Sequence, residues 1–385
     1  MRKGWEYKKL GEIGKIVTGS TPSTKDESNY TPREYCFVKP SDLPSQGIGD
    51  IEETEYYVSK VGLSKSRVLP AGSVLVSCIG SIGKIGILTK EACSNQQINA
   101  IISQGVIDSR FIAYSLYAQR FVLESIANAP VVPIINKTDF SKIRIGIPPK
   151  STQLAIVSEL DKINELIRLK KEQLKDFDNL AQSLFYEMFG DPVENEKGWE
   201  VKKLKEIATE KLSYGSGASA VPFNTSVRYI RITDINEYGE LKEEKVSPNI
   251  FEEKYLLAEG DILFARSGAT VGKTYLHKRN ENPCIYAGYL IRLRPNEKLV
   301  LPNYVYYYTK SNYYKSFICA NQRVVAQPNI NAKQYGDLEL PLPPLSLQHL
   351  FAQRIEQIER EKSEVQKSIQ NLETLLASRM QYWFE

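Results

Sequence analysis

Apolar residues recur in alternating steps of three and four along two long segments of this 385-residue chain. This spacing places the apolar side chains on one stripe of a helix and is typical of the heptad pattern of a coiled coil. The pattern predicts that these apolar residues form the interface between two helices: Leu160, Ile163, Ile167, Leu174, Phe177 and Leu184 in the first segment, and Ile355, Ile358, Val365, Ile369, Leu372 and Leu376 in the second.

A Pro-Pro pair precedes each segment, at residues 148–149 and 343–344, and Ser151 and Ser346 follow where N-cap residues would stand. One amphipathic helix by itself more often packs against its own domain. The occurrence of two favours pairing, and antiparallel pairing predicts a pseudo-two-fold axis with one globular lobe at each end of the coiled coil.

The lobes themselves are duplicated. GWEYKKLGEIG from Gly4 returns as GWEVKKLKEIA from Gly198, with eight of eleven positions identical. Short apolar runs alternate with Gly- and Pro-containing turns in both halves, and helical spacing returns near the end of each half. The sequence therefore predicts an α+β fold with two pseudo-symmetric lobes, each built on a curved, mostly antiparallel sheet, and two long helices between them.

The charge is small overall but unevenly divided. Residues 1–147 hold 18 Lys/Arg and 14 Asp/Glu, and residues 198–342 hold 20 and 16, whereas the whole chain has a net charge of +4. Both copies of the repeat therefore carry a positive excess. An excess of this kind suits a polyanion such as DNA, although an ordinary solvated surface would give a similar value.

Other features limit the remaining classes of function. The five cysteines form no CxxC pair and only two histidines are present, so the sequence predicts reduced thiols and no metal site. The chain has no apolar signal region after its N-terminal methionine, which predicts a cytoplasmic protein. Asp42 and Asp234 recur in both halves, and beside Ser41 and Thr233 they are better interpreted as turn-forming residues than as metal ligands.

A Gly-Lys turn occurs in each half, ending at Lys84 and at Lys273. A phosphate-binding loop needs four residues between its glycines, and the second copy has three while the first has fewer. Nucleotide binding remains an alternative hypothesis. A tight turn that presents a lysine to a DNA phosphate or to a guanine edge accounts for both copies.

Polar residues in the predicted loops are candidates for reading bases, because Asn, Gln and Arg can hydrogen-bond to base edges in two places at once. Asn136 and Asn331 are repeated in both halves and are better interpreted as helix caps. The candidate DNA-binding residues are Lys39, Ser77, Ser81, Lys84, Gln96 and Gln97 in the first lobe, and Arg231, Arg266, Ser267, Lys273, Gln322 and Arg323 in the second.

Taken together, these motifs resemble the specificity subunit of type I restriction-modification systems. The resemblance covers nearly the whole chain: the Gly-Trp-Glu-x-x-x-Leu start of each half, the segments Leu69–Leu75 and Leu257–Leu263, the Gly-Lys turns, and the Pro-Pro segment that leads to Gln153 or Gln348. Thr152 and Leu347 depart from the family, which commonly has an acidic residue before that glutamine.

The resemblance implies a non-catalytic subunit that recognises double-stranded DNA. Residues 1–147 and 191–342 would be target recognition domains for the two halves of an asymmetric site, and residues 148–190 and 343–385 would be the conserved spacer helices. Two methyltransferase subunits and the restriction subunits would be its partners and would bind S-adenosylmethionine, ATP and magnesium. A scaffold whose lobes bind other proteins remains a further alternative.

Overall fold

The computed structural model describes residues 2, 4–105, 107–127, 133–236, 239–280, 282–322 and 329–385, with only the backbone of Gln322. The chain divides into two compact units: the first comprises Met1–Lys171 with Lys367–Glu385, and the second comprises Glu172–Gln366. Each of the two long helices therefore contributes residues to both units. None of the helices in the described ranges is long and apolar enough to span a membrane.

The first half of the chain contains ten strands and six helices among the described residues. In chain order they are β1 (Glu6–Lys9), α1 (Leu10–Ile13), β2 (Gly14–Thr18), β3 (Tyr35–Val38), β4 (Ile48–Ile51), β5 (Tyr57–Val58), α2 (Lys60–Ser64), β6 (Val74–Ser77), β7 (Ile85–Leu88), β8 (Cys93–Ser94), β9 (Ile98–Ser103), α3 (Ser109–Ala118), α4 (Arg120–Ile126), α5 (Lys137–Lys142), β10 (Arg144–Ile147) and α6 (Lys150–Phe189).

The second half follows the same plan. Its elements are β11 (Glu200–Lys203), β12 (Ser213–Tyr214), β13 (Ala220–Pro222), β14 (Arg228–Ile230), β15 (Val246–Pro248), β16 (Ile262–Ala265), β17 (Thr274–Leu276), β18 (Cys284–Tyr286), β19 (Leu290–Leu293), α7 (Pro302–Tyr308), α8 (Asn312–Gln322), α9 (Ala332–Gly336), β20 (Glu339–Leu342) and α10 (Leu345–Phe384).

Each lobe has a central, mostly antiparallel sheet, which confirms the predicted fold class. In the first lobe the strand order is β2-β9-β6-β7-β4, and only the pair β7-β4 is parallel. In the second lobe the order is β12-β19-β16-β17, with all pairs antiparallel. A small parallel pair beside each sheet is also repeated, β3-β8 in one lobe and β14-β18 in the other.

The repeated Gly-Trp-Glu segment leads into the first strand of each lobe. β1 pairs with β10 and β11 pairs with β20, so the first strand of each lobe lies beside the strand that leads into its long helix. Leu10 and Leu204 follow these strands, are fully buried, and receive the same support: their backbone N–H groups donate to the carbonyl oxygens of Ile143 (2.9 Å) and Leu338 (3.0 Å). The conserved spacing within the repeat thus has a structural cause.

The long helices begin two residues earlier than predicted, so Ser151 and Ser346 lie inside the first turn and are not its N-caps. The carbonyl oxygens of Pro149 and Pro344 accept the first backbone hydrogen bonds. Two buried glutamines attach these helix starts to the lobes, because their side-chain NH2 groups donate to the carbonyls of Pro148 and Pro343 while their side-chain oxygens accept from a lobe backbone N–H; these residues are Gln153 and Gln348.

Within each unit the two long helices run antiparallel, as predicted. In the first unit, the Arg379 guanidinium pairs with Glu159 (3.1 Å between Nη2 and Oε2), and Lys171 pairs with Glu373 (2.8 Å). In the second unit, Lys362 pairs with Asp178 (2.7 Å), and the rings of Phe189 and Phe351 lie 5.1 Å apart. Residue numbers therefore rise along one helix as they fall along the other.

All the residues predicted for the helix interface are buried or half-buried. Leu160 and Leu376 belong to an apolar cluster of the first unit with Met380, Phe111 and Tyr114. Leu184, Ile355 and Ile358 belong to the core of the second unit, against which Phe177 packs. Ile163, Ile167, Val365 and Ile369 are buried, and Leu174 and Leu372 are half-buried. Their assignment to a shared interface remains a prediction.

Aromatic packing joins the second lobe to its helices. The ring centroid of Phe185 lies 5.6 Å from that of Tyr304 and 5.9 Å from that of Phe351, and all three side chains are almost fully buried. Burying a large apolar side chain contributes about 1.5–3 kcal/mol. This cluster therefore contributes to the attachment between α7 and the paired helices of the second unit.

Candidate nucleic-acid interface

The two Gly-Lys turns are built by the same backbone contacts. In the first lobe, the Ser77 N–H donates to the Lys84 carbonyl and the Gly83 N–H donates to the Ser77 carbonyl, both at 3.0 Å. In the second lobe, the matching bonds join Ala265 to Lys273 (2.9 Å) and Gly272 to Ala265 (3.1 Å). Gly83 and Gly272 have φ values of +81° and +86°, a region in which a side chain is strained.

These turns connect adjacent antiparallel strands, β6 to β7 and β16 to β17. A phosphate-binding loop instead leads from a strand into a helix, whose N-terminus faces the phosphates. The structure thus removes the geometric basis for the nucleotide-binding alternative at both lysines.

A second segment of each lobe is fixed to the start of the turn by equivalent bonds. The Cys78 N–H donates to the Gln97 carbonyl (2.8 Å), and the Cys78 carbonyl accepts from the Ile135 N–H (2.9 Å). In the second lobe, the Arg266 N–H donates to the Tyr289 carbonyl (3.1 Å), and the Arg266 carbonyl accepts from the Ile330 N–H (2.9 Å). We call this set of backbone contacts in each lobe the backbone frame.

The backbone frame also includes the segments that hold Lys39 and Arg231. The Asn95 N–H donates to the Val38 carbonyl (3.1 Å), and the Ala287 N–H donates to the Ile230 carbonyl (2.9 Å). In the first lobe, the structure therefore brings together the predicted segments of Lys39, Lys84 and Gln97, which are far apart in sequence. In the second lobe it brings together the predicted segments of Arg231 and Arg266, with Tyr289 on the third segment. These backbone hydrogen bonds recur in both lobes, whereas most of the side chains at the bonded positions differ.

Among the candidates of the first lobe, Ser77 does not lie on the surface. It is fully buried, its hydroxyl donates to the Ser81 carbonyl, and its oxygen accepts from the Lys84 N–H (2.9 Å). The expectation that Ser77 lines a DNA-facing surface is therefore wrong in this structure, because the last residue of a strand with four buried side chains faces the interior. Its role is to hold the turn in shape.

The other first-lobe candidates are accessible to different degrees. Ser81 and Gln96 are exposed, and the Gln96 side chain accepts from the Thr21 hydroxyl (2.7 Å). Lys39, Lys84 and Gln97 are half-buried. The Lys39 ammonium lies 3.0 Å from the centre of the Tyr56 ring, and the Lys84 ammonium donates to the Pro40 carbonyl at 3.3 Å.

In the second lobe, Arg266 lies at the centre of the backbone frame. Its guanidinium lies 4.7 Å from the centre of the Tyr214 ring, and its Nε donates to the Asn329 side chain (3.2 Å). Ser267 is half-buried and forms a β-bridge with Asn329, while Lys273 is half-buried beside the turn. The Gln322 side chain and all of Arg323 lie outside the described residues.

Arg231 is engaged by its own turn. Its Nε and Nη2 donate to the two carboxylate oxygens of Asp234 at 3.0 and 2.7 Å, and this hydrogen bonding raises the pKa of Arg231 above its usual value. The backbone N–H of Arg231 also donates to Asp234, as that of Lys39 does to Asp42. The interpretation of Asp42 and Asp234 as turn-forming residues is confirmed.

The two repeated asparagines cap short helices, as predicted. The Asn136 side-chain oxygen accepts from the Asp139 N–H and that of Asn331 accepts from the Gln334 N–H, both at 2.9 Å. All five cysteines are free thiols, and only Cys319 is exposed. No group of three His, Cys, Asp or Glu residues within the described ranges is arranged to hold a metal ion.

Three residues of the site were missed by the sequence analysis: Tyr289, Tyr214 and Asn329. Tyr289 is 62% exposed and occupies in the second lobe the position that Gln97 occupies in the first. The signal was present, because the offset of 192 that relates Val38 to Ile230 also relates Gln97 to Tyr289. An exposed ring of this size next to Arg266 can stack on or pack against a nucleic acid.

The second unit also contains a cleft of about 1960 Å³ between the Gly-Lys turn of its lobe and its part of the long helices. Lys310 lies in this cleft, and burial lowers its pKa to about 8. The cleft is lined by acidic and basic side chains together, among them Asp178, Glu359 and Lys362. Its charges partly compensate one another, which is typical of a structural ion-pair network.

Comparisons with known proteins agree with this arrangement. The family model described as "Type I restriction modification DNA specificity domain" matches residues 2–176 and 196–374. The specificity subunit of the type I restriction enzyme MjaIX, from Methanocaldococcus jannaschii, is 25% identical over 70% of this chain and 67% of its own length. The MjaVIII specificity subunit of the same organism is 23% identical over 97% of this chain and 92% of its own length.

The fold is also similar to that of a crystal structure of the type I restriction-modification system S subunit from M. genitalium. The two share 16% identity with a TM-score of 0.57, over 98% of this chain and 95% of that chain. The duplicated lobes, the paired helices and the family match over most of the chain agree. This chain belongs to the family of type I restriction-modification DNA specificity subunits, which recognise DNA and are not themselves catalytic.

Proposed function

We propose that each lobe of this chain reads one half of a bipartite, asymmetric DNA site through the side chains that its backbone frame displays. The observation that carries this proposal is the repetition of one backbone arrangement with different side chains. Cys78, Gln97 and Ile134 in the first lobe correspond to Arg266, Tyr289 and Asn329 in the second. Two readers with the same frame and different side chains would bind two different half-sites.

Lys84 and Lys273 are the same residue at the same place in both turns, which suits contacts with the sequence-independent phosphate backbone. Arg266, Gln96 and Gln97 differ between the lobes and suit base edges, since Arg pairs with guanine and Gln with adenine in the major groove. The proposed surfaces comprise Lys39, Ser81, Lys84, Gln96 and Gln97, and Arg266, Ser267, Lys273, Tyr289, Gln322 and Arg323, with Ser77 and Arg231 as supporting residues.

The paired helices would fix the distance between the half-sites. Each is 40 residues long, or about 60 Å at ~1.5 Å per residue. This proposal includes the placement of one lobe at each end of the helix pair and the domain boundaries at residues 147, 190 and 342.

The helices would also bind the methyltransferase subunits. Several leucines on them are strongly exposed, which leaves apolar surface for a protein partner: Leu154, Leu166, Leu169 and Leu180 on α6, and Leu350 and Leu375 on α10. Those partners would supply S-adenosylmethionine, and the restriction subunits would supply ATP hydrolysis with magnesium. No residue of this chain is assigned to those cofactors.

A lobe exchange tests the reading function. Residues 1–147 would be replaced by the equivalent lobe of a relative with a known target, and methylated adenines would be mapped after expression with the methyltransferase. We expect one half-site to change and the other half and the spacer to stay the same. An unchanged methylation pattern, or a change in both halves, would contradict one-lobe, one-half reading.

A helix extension tests the spacer. Adding one heptad to both helices lengthens them by about 10.5 Å, which corresponds to about 3 base pairs at ~3.4 Å per base pair. The matched control inserts seven Gly/Ser residues into the segment 191–197, outside both helices. A spacer that lengthens in the helix variant alone supports the proposal, and a spacer that stays constant rejects it.

The scaffold alternative predicts no DNA affinity even in the presence of the methyltransferase. Binding of DNA by the complex, titrated with salt, separates the two hypotheses, because contacts with phosphates make the affinity fall with increasing salt.

A further inference from the structure

Phe121 on α4 is the most exposed large apolar side chain in the part of the chain that the structure describes, at 69%. Single exposed apolar residues are common on protein surfaces and need no explanation by themselves. The position of Phe121 relative to the backbone frame distinguishes it from other exposed apolar residues.

α4 packs directly against the Gly-Lys turn of the first lobe. A β-carbon placed on Gly83 would lie 3.7 Å from the Arg120 β-carbon and 3.9 Å from a methyl group of Leu123. The side chain of Phe121 therefore lies next to the helix face that supports the turn of Lys84. On its other side, the turn is bound to the segment that carries Ile134, through the Gly80 N–H and the Pro133 carbonyl (3.2 Å).

A cation accompanies the exposed ring. The Arg120 guanidinium lies 4.9 Å from the centre of the Phe121 ring and 5.5 Å from that of Tyr117. An arginine beside an exposed aromatic ring favours a partner that offers both negative charge and flat apolar surface, as the phosphates and bases of DNA do. Ile134 is also 43% exposed and forms a bridge with Ile79 at the start of the turn.

The second lobe has polar residues at the corresponding positions. Ile318 packs on Gly272 as Leu123 packs on Gly83, so an offset of 195 relates α4 to α8. Phe121 then corresponds to Ser316, and Ile134 corresponds to Asn329, which accepts a hydrogen bond from Arg266. At these two positions, apolar side chains occur in the first lobe and polar ones in the second, although both lobes share the backbone frame.

We propose that Phe121 is a wedge residue that enters a base step in the half-site bound by the first lobe and partly unstacks it. Proteins that bend DNA use Phe, Leu, Ile and Met in this way. The inference rests on the proposed function, since it assumes that the first lobe binds DNA. It adds that the first lobe recognises the deformability of a base step in addition to base edges.

The test uses the full chain assembled with its methyltransferase subunits and a duplex carrying the mapped target. 2-Aminopurine, whose fluorescence rises when it is unstacked, is placed at each position of both half-sites in turn. The variants are Phe121→Ser, which introduces the residue of the second lobe, and Phe121→Leu, which keeps a wedge-sized side chain. The matched control is Ile250→Ala, which removes an apolar side chain of 60% exposure from the second lobe.

We expect one base step in one half-site to brighten in the wild-type complex. Phe121→Ser should abolish this signal and weaken DNA binding about tenfold, the loss expected from removal of one stacking contact. Phe121→Leu should retain most of the signal, and Ile250→Ala should retain all of it.

Two other outcomes separate the wedge from the reading function. If the complex binds its target but no step brightens, or if Phe121→Ser binds and brightens like the wild type, the wedge is rejected while DNA reading stands. If the wild-type complex does not bind its mapped target, the proposed function fails and the wedge fails with it.

Discussion

The side-chain oxygen of Gln348 accepts a hydrogen bond of 2.7 Å from the backbone N–H of Leu301. The same side chain donates to the Pro343 carbonyl at 2.8 Å, so one amide joins the start of α10 to the lobe that precedes it. Gln153 makes the equivalent bonds to Asp108 (3.1 Å) and Pro148 (3.0 Å) in the first unit. Each long helix is thus attached to its lobe by one buried glutamine.

We expect Gln348→Leu to destabilise the second unit by about 1–3 kcal/mol, because it removes the buried side-chain amide that accepts from the Leu301 N–H and donates to the Pro343 carbonyl. The free energy of unfolding in urea measures this effect. Gln353→Leu is the matched control, since Gln353 is exposed on the same helix. Equal stability of the two variants would show that the glutamine does not hold the joint.

The C-terminal turns of α10 are part of the first unit, where Met380 packs with Phe111, Tyr114 and Leu160. Met380→Ala should cost about 2–5 kcal/mol in the first unit, since it leaves a cavity in a buried cluster. Hydrogen exchange should accelerate in peptides from α3 and stay unchanged in peptides from α7. Leu375→Ala is the control because that side chain is 45% exposed; faster exchange in α7 instead would contradict the division into units.

Lys310 predicts a pH effect on the second unit. Burial lowers its pKa from 10.5 to about 8, and the Lys362 charge adds to this while Asp178 opposes it. The pKa of Lys310 is lower in the folded than in the unfolded state. Its buried charge therefore destabilises the folded unit by the full amount below pH 8, and this destabilisation declines as pH rises toward 10.5. Replacing the lysine should therefore stabilise the unit most at neutral pH.

The measurement compares Lys310→Met with the wild type by urea unfolding from pH 7 to pH 10. We expect the advantage of the variant to shrink steadily above pH 8. The exposed Lys315 provides the control Lys315→Met, for which the difference from wild type should not follow this window. A constant advantage of Lys310→Met at every pH would show that charge burial is not its source.

The two turn lysines predict a change in the salt dependence of DNA binding. Lys84→Ala and Lys273→Ala should each lower the slope of log affinity against log salt by about 1, with little change in the preferred sequence. Fluorescence anisotropy over a salt series measures the slope. Lys254→Ala is the control, since this exposed lysine pairs with Glu252 (2.7 Å). If base preference changes instead of slope, the lysines read bases and not phosphates.

The parts of the structure that could be predicted from the sequence depend on local patterns. The 3-4 spacing of apolar residues predicted both long helices and their pairing, because a stripe of this kind must be buried against another surface; the spacing does not set the direction of the pairing. Asn136 and Asn331 were correctly predicted as caps, since an asparagine at a helix start satisfies a backbone N–H within three residues.

The positions of individual reading residues could not be predicted in the same way. The strand that ends at Ser77 is buried on both faces, so no alternation of polar and apolar residues showed that this hydroxyl faces inward. Tyr289 was missed because the register between the halves drifts, with offsets of 188 at Cys78, 192 at Gln97 and 195 at Ile135. That drift is set by loop lengths, and the structure was needed to show which offset applies at each segment.

The hydrogen bonds of the backbone frame connect only main-chain N–H and C=O groups. A scaffold joined in this manner tolerates most substitutions at the positions it displays, since its bonds at those positions use main-chain atoms, whereas Ser77 also holds the turn through its side chain. If each lobe reads DNA as proposed, we expect variation at residues 97 and 134, or at 289 and 329, to alter the preferred half-site at little cost in stability. Libraries confined to these four positions would then be a practical route to new targets.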